Sequence, residues 1–218
     1  MKSIILIHTV KSVLNTFEVK LRDRITQEIK VHNVLDEFLA DHPNEVGYFS
    51  IENRNRLLMD LKAAELTGAD LIVTTCSTLT PTVEMIRPFI KTPIIVIDEA
   101  MGKKGITYGN QVLILATAMS TIAPTTKLLR GEGRKAGKEI IVDSMVCQDA
   151  FRAMKNQNMK EHDAILREKA GEISGYDCII LAQASMAHLE TDIGQICGCP
   201  VLSSMNLCIE QINEVLNA

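Results

Sequence analysis

The stretch ADLIVTTCSTLTP, residues 69–81, runs apolar through Leu71–Val73, surfaces at a cysteine and then turns polar. It reads as a buried parallel strand that delivers a thiol to its carboxyl end, with a helix from Pro81 onward. A second stretch, YDCIILAQASMAH (176–188), has the same outline but carries Gln183 where the first has Cys76. The fold and the chemistry both turn on how these two stretches are related.

Working outward, apolar β-branched runs lie at 3–9, 28–34, 70–75, 94–97, 111–116, 139–145, 178–182 and 200–203. Amphipathic stretches at 12–27, 52–67, 81–91, 120–135, 161–174, 187–197 and 206–217 separate them. Strands alternating with helices of this length predict parallel βαβ units. Their nearly continuous apolar character predicts sheets covered on both faces. The segment RGEGRKAGK (130–138) reads as a loop between helix and strand, without phosphate-loop spacing.

The chain also resembles itself. At a shift of 107, Gly68 falls on Gly175, Asp70 on Asp177, Cys76 on Gln183 and Pro93 on Pro200. SIILIHT (3–9) falls on QVLILAT (111–117) at 108, and QEIKVHN (27–33) on KEIIVDS (138–144) at 111. The reading is an α/β protein of two similar lobes, each a parallel sheet flanked by helices, related by a pseudo-twofold duplication. Residues 1–105 form the first lobe, with the C-terminal helix a candidate to complete it, and 106–218 the second. Ligands of open parallel sheets bind beyond the carboxyl ends of strands, where Thr9, Cys76, Thr117 and Gln183 all fall. Facing lobes then bring Cys76 and Gln183 to opposite sides of a cleft that holds the active site.

Composition narrows the function. A charged fraction of 23% and a net charge of −4 describe an ordinary soluble protein, and no basic run marks a nucleic-acid surface. Aromatics make up 4% with no Trp, which argues against a base-stacking platform. The apolar IILI before His8 is too short for a signal segment or a membrane span, so the expectation is a cytoplasmic protein. Six cysteines in such a compartment read as free thiols, and CGC at 197–199 lacks partners at zinc spacing. The ten methionines read as core filler. Nothing in the chain points to a nucleotide, metal or pyridoxal cofactor.

Three motifs, TTCSTLTP (74–81), ILATAMST (114–121) and ILAQASM (180–186), stand in order along a duplicated α/β chain. In these the chain resembles the aspartate/glutamate/hydantoin racemase superfamily. The resemblance implies cofactor-independent chemistry on a small carboxylic or amino acid, in which two cysteines flank the carbon beside the carboxylate. One thiolate removes its proton while the opposite thiol delivers another. It also implies a homodimer. A thiol suits the task because its pKa of about 8.5 is within reach of neutrality. Hydroxyls and backbone N–H groups at strand ends hold the substrate carboxylate, which here nominates Thr9, Ser77, Thr78, Thr117 and Ser185.

One position departs from that pattern. Cys76 stands at the first thiol, but the second is Gln183, whose amide has no proton to exchange near neutral pH. The reading is therefore proton transfer beside a carboxylate with Cys76 as acid/base, either racemase-like or by a related single-cysteine route. The alternatives are a single-cysteine decarboxylase or lyase and a non-catalytic protein that binds a small acid. His8, which interrupts an apolar strand, is the candidate second base, ahead of His188, whose place at a helix start suits capping or the surface. Thr9 and Thr117 are equally candidates for helix caps. Asp98 and Glu99 read as surface caps, with Ser203 and Ser204 in the equivalent place, and the arginines of NRNR (53–56) as a solvated helix face.

Overall fold

Each of the eight apolar runs forms a strand, and every long amphipathic stretch forms a helix. The computed structural model describes residues 1–217. The first half runs β1 (Lys2–His8), α1 (Lys11–Arg24), β2 (Ile29–Leu35), α2 (Phe38–Val46), α3 (Ile51–Leu66), β3 (Leu71–Thr74), α4 (Thr80–Ile86) and β4 (Ile94–Val96). The second runs α5 (Glu99–Gly105), β5 (Gln111–Ala116), α6 (Ile122–Lys135), β6 (Ile141–Val146), α7 (Gln148–Lys155), α8 (Met159–Ala170), β7 (Cys178–Leu181), α9 (Glu190–Cys197), β8 (Val201–Ser203) and α10 (Ser204–Asn217). Two compact units result, Met1–Asp98 with Cys208–Ala218, and Glu99–Leu207.

Each unit holds one four-stranded sheet with all neighbours parallel, in the orders β2-β1-β3-β4 and β6-β5-β7-β8. The duplication extends to single residues. Ile4 pairs with Leu71 as Val112 does with Cys178, and Ile72 with Ile94 as Ile179 does with Val201. Ser3 pairs with Lys30 as Gln111 does with Ile141. These equivalences reproduce the sequence shifts of 107, 108 and 111 strand by strand. A change of shift marks an inserted turn. α1 begins at Lys11, soon after His8, whereas Ala116 and α6 are separated by an additional 3-10 turn, Met119–Thr121.

The repeated aspartates anchor the amino ends of the sheets. Asp70 accepts the Ser3 N–H at 2.8 Å, and Asp177 accepts those of Asn110 and Gln111, each at 2.8 Å. A Cβ at Gly109 would lie 2.5 Å or less from the Asp177 side chain, so glycine is required there. Alternation along the central strands divides the core of the second unit. Leu113, Leu115, Ile179 and Leu181 meet Leu166, Met186 and Ile193 on one face, while Val112, Ile114 and Ile180 meet Met101, Leu129 and Leu202 on the other. Each such aliphatic side chain, fully buried, contributes about 1.5–3 kcal/mol.

Three helices exceed the sequence reading. α2 contains Pro43, α5 is the glycine-bearing EAMGKKG, and α7 is only eight residues long, so none shows a sustained period. The RGEGRKAGK loop is corrected as well: its first six residues are the end of α6. The helix stops at Gly137, whose φ of +68° permits the Lys138 N–H to reach back to the Gly133 carbonyl at 2.8 Å. The two glycines inside α6 therefore have opposite roles. A Cβ at Gly133 would sit 2.5 Å from Ile140 Cγ1 and 3.0 Å from the Lys138 carbonyl, whereas one at Gly131 meets nothing within 4 Å. Gly133→Ala is expected to destabilise the protein by about 1–3 kcal/mol, and Gly131→Ala to stabilise it by about 0.5–1 kcal/mol. Urea-unfolding midpoints of the two variants measure the contrast.

Candidate active site

A parallel strand covered on both faces carries polar side chains only where it leaves the sheet. After β3 the chain stays extended through Cys76 (φ −134°, ψ 123°) and then enters the 3-10 turn Ser77–Leu79, closed by the Leu79 N–H on the Cys76 carbonyl at 3.1 Å. After β7, Gln183 (φ −140°, ψ 142°) opens the turn Ala184–Leu189 in the same way, with the Met186 N–H on its carbonyl at 3.1 Å. Cys76 is half-buried against the apolar cluster of Ile7, Leu79 and Val83. Ser77, Thr78 and Ser185 are half-buried within the two turns.

A chain of hydrogen bonds holds Cys76 from behind. His8 is fully buried at the end of β1, with Nε2 2.9 Å from Asn33 Oδ1 and Nδ1 2.8 Å from the hydroxyl of Thr75, the residue before Cys76. Asn33 in turn donates to Glu18, which accepts from Arg22 at 2.8 Å. An amide oxygen at Nε2 fixes a proton there, while Nδ1 meets the Thr75 hydroxyl, which the Ile7 carbonyl also engages at 3.3 Å. Burial lowers the His8 pKa from its ordinary value, against the opposing pull of Asn33 and Glu18. Both ring nitrogens are engaged within the first unit.

Thr9 and Thr117 end equivalent strands and are 2% and 1% exposed. Neither caps a helix: α1 and α6 are preceded by Val10 and Thr121, without a side-chain cap. Their hydroxyls have no hydrogen-bond partner among the described residues, uncommon for buried groups and here repeated at matched positions. Gln183 differs from Cys76 in what it bonds. Its Oε1 accepts the backbone N–H of Thr117 at 2.6 Å, tying the end of β7 to that of β5.

The thiols of the second unit lie away from position 183. Burial pushes Cys178, inside β7, up to about 12, and also raises Cys147, Cys197 and Cys199. Cys197 donates to the Ala170 carbonyl at 3.3 Å. Among the described residues no three His, Cys, Asp or Glu side chains are grouped to hold a metal. His188 bonds Asp163 at 2.8 Å, and the same carboxylate holds buried His162 at 2.8 Å, which fastens the turn after Gln183 to α8. Asp98 is buried rather than at the surface and accepts from Thr80 at 2.7 Å. Ser203, just before α10, is likewise buried and bonds Glu190 at 2.8 Å.

One polar cluster was not anticipated. Asp36, at the end of β2, is buried, pairs with Arg56 and lies beside Asp60 one turn further along α3. Burial, then the charge and hydrogen bonding of Asp36, raise Asp60 to about 6. Arg56 also stacks over Phe38, 5.3 Å from the ring centre. The sequence signal was present in an acid directly after a strand and in Arg56 and Asp60 four apart, but only the fold brings them together.

With this geometry in place, the comparisons are direct. Residues 22–212 match the family model for Asp/Glu/hydantoin racemases, and the chain belongs to that family. An aspartate racemase homologue from Pyrococcus horikoshii superimposes with a TM-score of 0.70 at 18% identity, over 100% of both chains. The aspartate racemase of Picrophilus torridus gives 0.68 at 18%, covering 99% of this chain and 94% of that one. An allantoin racemase from Klebsiella pneumoniae gives 0.67 at 16%, covering 100% and 88%. These likenesses show the two-lobed α/β fold. No curated protein sequence matches the chain. No described helix is long and apolar enough to cross a membrane.

Two pH effects follow from the buried groups. His8 is neutral when folded, so the unfolded chain takes up the extra proton, and stability falls as pH drops below about 6.5 toward the depressed native value. The His8 contribution has a slope of at most about 1.4 kcal/mol per pH unit. It should be absent from the urea midpoints of His8→Gln. Asp60 has the opposite sign: its native pKa of about 6 exceeds the unfolded value, so its ionisation costs stability between roughly pH 4 and 6. Asp60→Asn is expected to be more stable than wild type by about 1 kcal/mol at pH 8, discounted for partial exposure, with the gain gone by about pH 4.

Proposed function

We propose that this protein transfers a proton at the carbon beside a carboxylate of a small acid, with Cys76 as its acid/base. The observation that supports this most strongly is the placement of Cys76. It is the half-buried thiol at the carboxyl end of a central strand, in the extended conformation shared with Gln183, within a family of racemases. In this reading the hydroxyls of Thr9, Ser77 and Thr78 and the N–H groups of the turn after Cys76 bind the carboxylate. The Cys76 thiolate takes the adjacent hydrogen as a proton, the electron pair is held as an enolate, and the thiol returns a proton to the same carbon.

The second unit supports single-face chemistry. Thr117, Gln183 and Ser185 supply hydrogen-bonding groups without an acid that exchanges near neutral pH, so inversion between two thiols is not the route. His8 is a positioning residue in this reading, holding Thr75 next to Cys76, since both its nitrogens are occupied. A stereospecific isomerase fits, as does a decarboxylase in which carbon dioxide leaves and Cys76 protonates the resulting carbanion.

Proton NMR in heavy water, over a panel of small amino and dicarboxylic acids, tests this reading. The expected result is loss of the hydrogen beside the carboxylate in one enantiomer only, or one stereoisomer of a labelled product, with the rate reduced about 10²–10⁴-fold in folded Cys76→Ser. Exchange at a near wild-type rate in that variant removes Cys76 from the mechanism. Equal labelling of both enantiomers requires a second acid/base. Tight binding of an acid without exchange indicates a binding protein on a racemase scaffold.

A further inference from the structure

The RGEGRKAGK segment, which the proposed chemistry does not use, borders a groove of about 760 Å³ between the last turns of α6 and β6, an edge strand of its sheet. Arg130, Arg134 and Lys138 line it together with Ile140, Ile141 and Val142. The two arginines are four residues apart on α6 and so share one face, their Cβ atoms about 5–6 Å apart. Neither has a hydrogen-bond or ion-pair partner among the described residues. Arg54 is likewise without one, whereas Arg22, Arg24, Arg56, Arg152 and Arg167 each face a carboxylate. The Lys138 ammonium is fixed by the Ile106 carbonyl at 2.9 Å. Of the acids beside the groove, Asp143 accepts from the Tyr176 hydroxyl at 3.1 Å, and Glu139 is exposed.

Cations in the last turn of a helix complement its dipole, which accounts for basic residues there. It does not account for an apolar floor, on which Ile141 is left 49% exposed, or for a volume in the range of small-molecule sites. The duplication supplies a control. At the shift of 111 that carries the start of α1 onto that of α6, the counterparts of Arg130, Arg134, Lys138 and Ile141 are Val19, Asp23, Gln27 and Lys30. The first unit therefore lacks both the arginine pair and the exposed isoleucine. The groove also lies at the amino end of β6, the opposite end of the strands from Thr117 and Gln183.

We propose that this groove is a second binding site, for a small organic oxyanion whose carboxylate or phosphate group is held by the Arg130 and Arg134 guanidinium groups. The apolar body of the ligand rests on Ile141 and Val142. Planar forks suit both kinds of oxyanion.

The test titrates the full chain with phenyl phosphate, phthalate and, as a neutral control, phenol, by calorimetry and by amide chemical-shift mapping. Saturable binding of either anion but not of phenol is expected, weakened by salt, with shifts centred on residues 130–143. The stronger of the two anions identifies the head group as phosphate or carboxylate. Arg130→Gln with Arg134→Gln, both on the exposed face of α6, should weaken binding at least about tenfold with the fold intact by circular dichroism, whereas Cys76→Ser should leave it unchanged. The proposal is overturned by no saturation up to about 10 mM, by equal affinity in the double arginine variant, or by loss of binding in Cys76→Ser. The last of these outcomes assigns the anion to the strand-end site, and none of them bears on whether Cys76 exchanges protons.

Discussion

A parallel sheet covered on both faces leaves its backbone groups no partner except the next strand, and that constraint organises the whole molecule. Within the ladders every side chain of β3 and β7 is buried, so a polar group gains a working environment only after the last ladder bond. Cys76 and Gln183 each occupy such a position, extended by one residue beyond the buried threonine or alanine that precedes them. The 3-10 turns that follow present backbone N–H groups before helical geometry takes over. The two strand-end positions are thus consequences of where the sheets stop.

The two units use that position differently. In the first, polar bonds run inward from Glu18 through Asn33 and His8 to Thr75, holding the strand end steady while leaving the Cys76 side chain outside the network. In the second, the side chain at the matching position is itself the tie, bonding across to Thr117. Burial sets the state of the thiols of that unit. Desolvation raises both Cys178, inside β7, and Cys197, at the end of α9, and so favours the protonated thiol at each.

The duplicated βαβ plan, the eight strands and the strand-end residues were legible because each rests on a local signal repeated in register. Offsets of 107, 108 and 111 in the sequence reappear as residue pairs across the ladders. The short helices α2, α5 and α7 were not legible, since nine residues or fewer carry too little period to outweigh a proline or two glycines. In RGEGRKAGK the glycines suggested a loop, yet Gly133 is there because Ile140 crosses close to α6, a contact between segments that composition does not encode. The same limit applied to polar partners. His8 was visible as an anomaly in an apolar strand, but Asn33 and Thr75 reach it only through strand pairing, and Glu18 reaches Asn33, as Arg56 and Asp60 reach Asp36, only through the packing of a helix on the sheet.

The bond from Thr117 to Gln183 decides which side chains position 183 accepts. A cysteine at 183 would withdraw the acceptor from a backbone N–H where β5 leaves its sheet, and an orphaned donor of that kind costs about 1–3 kcal/mol when buried. A cysteine at 183 is therefore opposed by stability before any question of activity arises. Position 183 is thus held to an acceptor side chain by the main chain of β5, whereas the Cys76 thiol carries no such tie.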